Sequence, residues 1–102
     1  MVKVDITAST GSYVGNGTEQ SINCGTRPSA VRIIRQDRKY LMEHFDGEIT
    51  TLGMMALGAS DNYRKCEATN GEGITITDTG FDVGISAMIN EDGHTYRWEG
   101  VF

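Results

Sequence analysis

The chain has 102 residues, a formal net charge of −5, 13 glycines, one proline and two cysteines. That length holds one domain, residues 1–102, around one modest core. Its acidic balance leaves no electrostatic footprint for DNA or RNA, and no apolar run approaches the roughly 20 residues a membrane span needs. The start "MVKVDITAST" alternates like a strand and lacks the long apolar core of a secretory signal, so the expectation is a protein made in a cytoplasm.

In "VKVDIT", Val2, Val4 and Ile6 share one face, and Lys3, Asp5 and Thr7 the other. Tyr13 and Val14 run into "GNGT", a turn in which Asn16 and Gly17 tolerate positive φ. Asn16-Gly17-Thr18 is also a glycosylation triplet, but it reads as the turn itself. "EQSINC" resumes alternation with Ile22 and Cys24 on one side, and Pro28 sets a corner before a strand carrying Val31 and Ile33. Ile34 on the other side of that strand implies partial cover there too. The periodicity of "RKYLMEHF" fits a strand or a helical turn, and the Asp46-Gly47 turn that follows favours the strand. "ITTLGMMALGAS", apolar and broken by Gly53 and Gly58, reads as a long loop over the core, with a short helix as the alternative. "NYRKCEA", "ITIT", "ISAMI" and "HTYRWEGVF" read as strands, with turns at "TNGEG" and "NEDG" and a corner at "DTGFDVG". With no internal repeat and no long helix, the expected fold is all-β: an antiparallel, jelly-roll-like β-sandwich of about eight short strands.

No enzyme constellation is present. "GNG" and "GEG" neither open a helix nor carry the Lys and Ser/Thr of a phosphate loop, and no serine sits in a nucleophile elbow. Cys24 and Cys66 read as buried reduced thiols. The two histidines have no metal-ligand spacing, and Glu91 and Asp92 serve a turn with Gly93. The expectation is therefore no catalysis, no cofactor and no metal.

Four pieces in order resemble a known group. "TGSYVGNGTEQSINCGTRPSAVRII", then "ITDTGFDVG" and "INEDGHTYRWEGVF", are similar to small virion surface proteins and tail-fibre modules of tailed bacteriophages. There a GxYxGNG turn leads to a Gly-x-x-Pro corner, and the chain closes on an aromatic strand. The resemblance covers roughly the first 35 and last 30 residues. Cys24 departs from it where an aliphatic residue is expected, and Thr26 where an aromatic is common. It implies a β-sandwich outside a phage particle, typically a homotrimer, with the major capsid protein as partner. The leading expectation is a head decoration (cement) protein; the alternative is a receptor- or glycan-binding module of a tail or head fibre.

Structural roles fall to Gly17, Pro28, Gly80 and Gly93 at turns and corners. Tyr96, Trp98 and Phe102, at alternate positions, are expected to dock the last strand in the core. The basic run Arg32, Arg35, Arg38 and Lys39 stands out in an acidic chain and is the candidate contact with acidic groups on a neighbour. Val2 and Val4 join it as a strand able to pair with another chain's edge.

Overall fold

The computed structural model describes residues 8–37, 40–55 and 63–102. Its strands are β1 (Ala8–Val14), β2 (Gln20–Asn23), β3 (Ala30–Arg35), β4 (Tyr40–Phe45), β5 (Thr50–Met55), β6 (Tyr63–Glu67), β7 (Ile74–Thr77), β8 (Gly80–Val83) and β9 (Thr95–Val101); a 3-10 turn covers Ala68–Asn70, and an α-helical turn, α1, spans Ala87–Asn90. All pairings are antiparallel. A six-stranded sheet has the order β1-β9-β3-β4-β5-β6, and a three-stranded sheet the order β2-β8-β7. The all-β sandwich is as expected. Val2 and Val4, with the strand expected around them, and Arg38 and Lys39 lie outside the described residues.

Period-two alternation places the core. Val31 and Ile33 of β3, Met42 of β4, and Tyr96 and Trp98 of β9 are buried against Ile74, Ile76, Phe81 and Val83 of the smaller sheet. Fully burying side chains of this size contributes about 1.5–3 kcal/mol each. Trp98 and Phe81 meet edge to face across the sheets, with centroids 5.5 Å apart. Tyr13 stacks on its cross-strand neighbour Tyr96 at 5.2 Å and donates its hydroxyl proton to the Ile89 carbonyl. Phe102 folds back so that its ring lies against Gly100, near Trp98. Tyr96 and Trp98 thus dock β9 in the core as expected, whereas Phe102 lies beyond the strand and is only half-buried.

Three local expectations are corrected. "TTLGMM" is strand β5 rather than loop, because pairing with both β4 and β6 outweighs the break at Gly53. "ISAMI" is not a strand: Ser86 Oγ accepts the Met88 N–H and caps α1. Ile89 of that turn enters the core, while Ile85 before it stays exposed. The corner read in "DTGFDVG" is confined to Asp78-Thr79, and Gly80–Val83 is β8.

The glycines act by two mechanisms. Gly17 and Gly93 take φ of 74° and 84°, which side chains resist. Gly80 is required by proximity, since a Cβ there would lie 2.0 Å from the Ile22 carbonyl oxygen. Pro28 is buried at its corner. The "GNGT" turn is held by the buried Asn90, whose Oδ1 accepts from Asn16 N and Gln20 Nε2 while Nδ2 donates to the Thr18 and Gly84 carbonyls.

One buried polar chain joins the sheets. Thr51 Oγ1 accepts the Ile74 N–H at 3.1 Å and lies 2.9 Å from Nδ1 of the buried His44. Burial lowers the His44 pKa, partly offset by hydrogen bonding at the Glu48 and Thr50 backbone and by the charges of Glu48 and Asp46. The folded state therefore favours neutral imidazole, while the unfolded chain takes up its proton near pH 6.5. Stability from this site is complete above that pH and is lost as pH falls through it towards the lower folded-state pKa. Melting curves from about pH 7.5 to 5.5 should show a falling Tm, and His44→Asn should flatten that slope. An equal slope in both proteins would remove His44 as its cause.

Both cysteines are free. Burial pushes the Cys66 thiol up to about 11, and also raises that of the half-buried Cys24. Neither is poised as a nucleophile.

Candidate interaction surface

The residues of β3, β4 and β9 that do not enter the core share the outer face of the six-stranded sheet, where register sets them in cross-strand rows. Phe45, Ala30 and Val101 form the first row. Glu43, Arg32, Glu99 and Thr10 form the second. Leu41, Ile34, Arg97 and Ser12 form the third.

The first row is an apolar end. Phe45 and Val101 are 55% and 45% exposed, and the small Ala30 between them leaves a shallow depression of about 110 Å³. In the middle row, Arg32 donates from Nε and Nη2 to Glu43 Oε2 at 3.0 and 2.8 Å, and its Nη1 is 3.5 Å from Glu99 Oε1. Pairs as exposed as these contribute little to stability. They do hold three charges at fixed positions, which favours a matching partner over a wrong one. A wider hollow of about 430 Å³ lies at the third-row end, beside Ile34, Gln36 and Arg97. Among the described residues, no group of three or more His, Cys, Asp or Glu is placed to hold a metal ion. The arrangement can adhere; it presents no nucleophile with a base beside it.

Arg35 is the one basic residue that the structure removes from the expected contact. Its side chain is 5% exposed and lies on the core side of β3. Nε and Nη2 grip Asp37 at 3.0 and 2.7 Å, Nη1 donates to Glu91 Oε1 at 2.7 Å, and the guanidinium carbon sits 5.1 Å from the Tyr40 ring centroid. Hydrogen bonding to Asp37 raises its pKa, so it stays charged throughout. Arg35 is an internal tie between β3 and the turn after α1, and of the expected basic contact only Arg32 is both described and exposed.

Sequence reading passed over two things. Arg27 forks onto Asp46 at 2.8 Å and reaches Asp78 at 2.9 Å, joining three turns and holding the Asp46 carboxyl below its usual range. The exposed rows themselves were implicit in the alternation of "AVRIIR", "YLMEHF" and "TYRWEGV", but their alignment depends on register between distant strands. No family model matches this chain, and no curated protein or solved structure matches it.

Proposed function

We propose that the chain is a structural protein of a phage virion, a decoration protein held to the outer capsid surface by the outer face of its six-stranded sheet. It is made in the host cytoplasm and its partner is the major capsid protein. The observation that carries this reading is the breadth of that face, with an exposed apolar row at one end and fixed charges behind it. Six strands about 4.8 Å apart and about six residues long cover roughly 500–600 Å² in projection. That is the scale of one side of a standard protein interface, about 800 Å².

Co-sedimentation of the purified protein with empty capsid shells tests the proposal. The wild type should pellet with shells, and Phe45→Ala with Arg32→Ala should weaken retention by about 10–100-fold. The Tm of that double variant should stay close to wild type, because both residues are exposed. Added salt should weaken binding further. Retention unchanged by both substitutions would remove this face from the mechanism.

A second reading has one observation in its favour. Phe45 is an exposed planar ring beside the hydrogen-bonding side chains of Arg32 and Glu43, as a glycan-binding module of a tail or head fibre needs. In that case Phe45→Ala abolishes adsorption to cells, and the wild type does not pellet with shells.

A further inference from the structure

We propose that β1 is a pairing edge for a second copy of this chain, joining two six-stranded sheets into one through an antiparallel β1–β1 contact about a two-fold axis at Gly11.

Among the described residues, the parity of the ladder sets which backbone groups of β1 point away from β9. Gln36 donates its N–H to the Thr95 carbonyl, so the odd-numbered residues of β9 address β3 and its even-numbered residues address β1. The register pairs Tyr96 with Tyr13 and Trp98 with Gly11. Odd residues of β1 therefore bond to β9, as the bond from Gly15 N to the His94 carbonyl at the end of the ladder also requires. Thr10, Ser12 and Val14 turn their N–H and C=O groups the other way. The outward carbonyl of Val14 accepts a side-chain bond from Gln20 Nε2 at 3.0 Å.

An edge with open backbone groups is a template for another strand, and natural proteins usually blunt it with charge, proline or short length. The other described edges are blunted. β6 carries Arg64, Lys65 and Glu67, while β2 and β7 have only four residues each. β1, "ASTGSYV", has seven residues and neither charge nor proline.

Three features select a second copy as occupant. The chain's net charge of −5 opposes most contacts with itself, but two uncharged β1 strands place no like charges opposite each other. The strand is also self-complementary: with Gly11 on the axis, Thr10 faces Ser12 of the second copy, and each such pair exchanges both N–H···O bonds. Thr–Ser pairs of this kind are favourable across strands, and both side chains are exposed on the outer face. Finally, the two Gly11 residues meet at a non-hydrogen-bonded position, where backbones come closest, about 4.5 Å between Cα atoms. Gly11 brings no side chain there, and the indole of Trp98 already fills the place of its Cβ, 2.7 Å away at Nε1.

The contact makes the two outer faces continuous. It is a two-fold assembly in place of the trimer that the resemblance implies, and it does not rest on the capsid reading, because isolated protein tests it. Sedimentation equilibrium over roughly a hundredfold range of concentration should show a monomer–dimer equilibrium. Ser12→Pro removes an outward N–H that β9 does not use, so circular dichroism and Tm should stay near wild type while the dimer is lost. Should that proline unfold β1, Thr10→Lys with Ser12→Lys keeps the backbone and sets lysines opposite each other. It should raise the dimer dissociation constant by about tenfold or more. A wild type that stays monomeric, or forms a trimer, overturns the proposal. So does a dimer untouched by the paired lysines, or one lost only when residues 1–7 are deleted.

Discussion

Arg35→Glu should cost the fold about 3–5 kcal/mol, because it sets an unpaired carboxylate at a buried position beside the half-exposed carboxylates of Asp37 and Glu91. At about 4–8 °C per kcal/mol for a domain of this size, the Tm should fall by roughly 12–40 °C. That is a large share of the about 5–15 kcal/mol that a small domain has. Arg35→Lys should recover only part of the loss, since an ammonium cannot fork onto Asp37 while also reaching Glu91. Arg32→Ala is the control: its guanidinium is half exposed and its ion pairs contribute at most about 1 kcal/mol. Were Arg35 instead part of an exposed docking cluster, charge reversal would leave the Tm nearly unchanged.

Gly80→Ala should cost about 3 kcal/mol, at the upper end of overpacking. The added methyl would meet the Ile22 carbonyl oxygen at 2.0 Å and the Cys24 backbone nitrogen at 2.9 Å, so no side-chain rotation relieves it. Gly80 and Asn23 must separate, and with them the end of the β2–β8 pair. Urea unfolding reads the effect directly, and a loss below about 1 kcal/mol would mean that β2 moves aside freely. Gly17→Ala tests the other mechanism, backbone φ, with open space at the Cβ position. The contrast separates close approach from conformational strain.

Much of the fold was legible because period two is a local property. Val31 with Ile33, Tyr96 with Trp98, and Ile74 with Ile76 enter the core as alternation requires. The same rule, applied to Arg32 and Arg35, already sets them on opposite faces of β3, three residues apart. Grouping them by charge alone hid this. β5 was illegible because Gly53 and its apolar neighbours look like a loop until β4 and β6 pair with it on both sides. α1 was missed because four residues carry no helical period and "ISAMI" alternates by chance; a serine cap and Asn90's contacts to a distant turn decide it. The candidate face was the least legible part. The rows join residues some 7 to 90 positions apart, and nothing local states that Phe45, Ala30 and Val101 meet.

The proposed attachment to a capsid is tested most directly by a cryo-electron reconstruction of phage particles prepared with this protein. The account predicts density for the sandwich on the exterior of the head, with Arg32, Phe45 and Val101 turned towards the shell. Density at the tail, or on the head with that face turned to solvent, would contradict it.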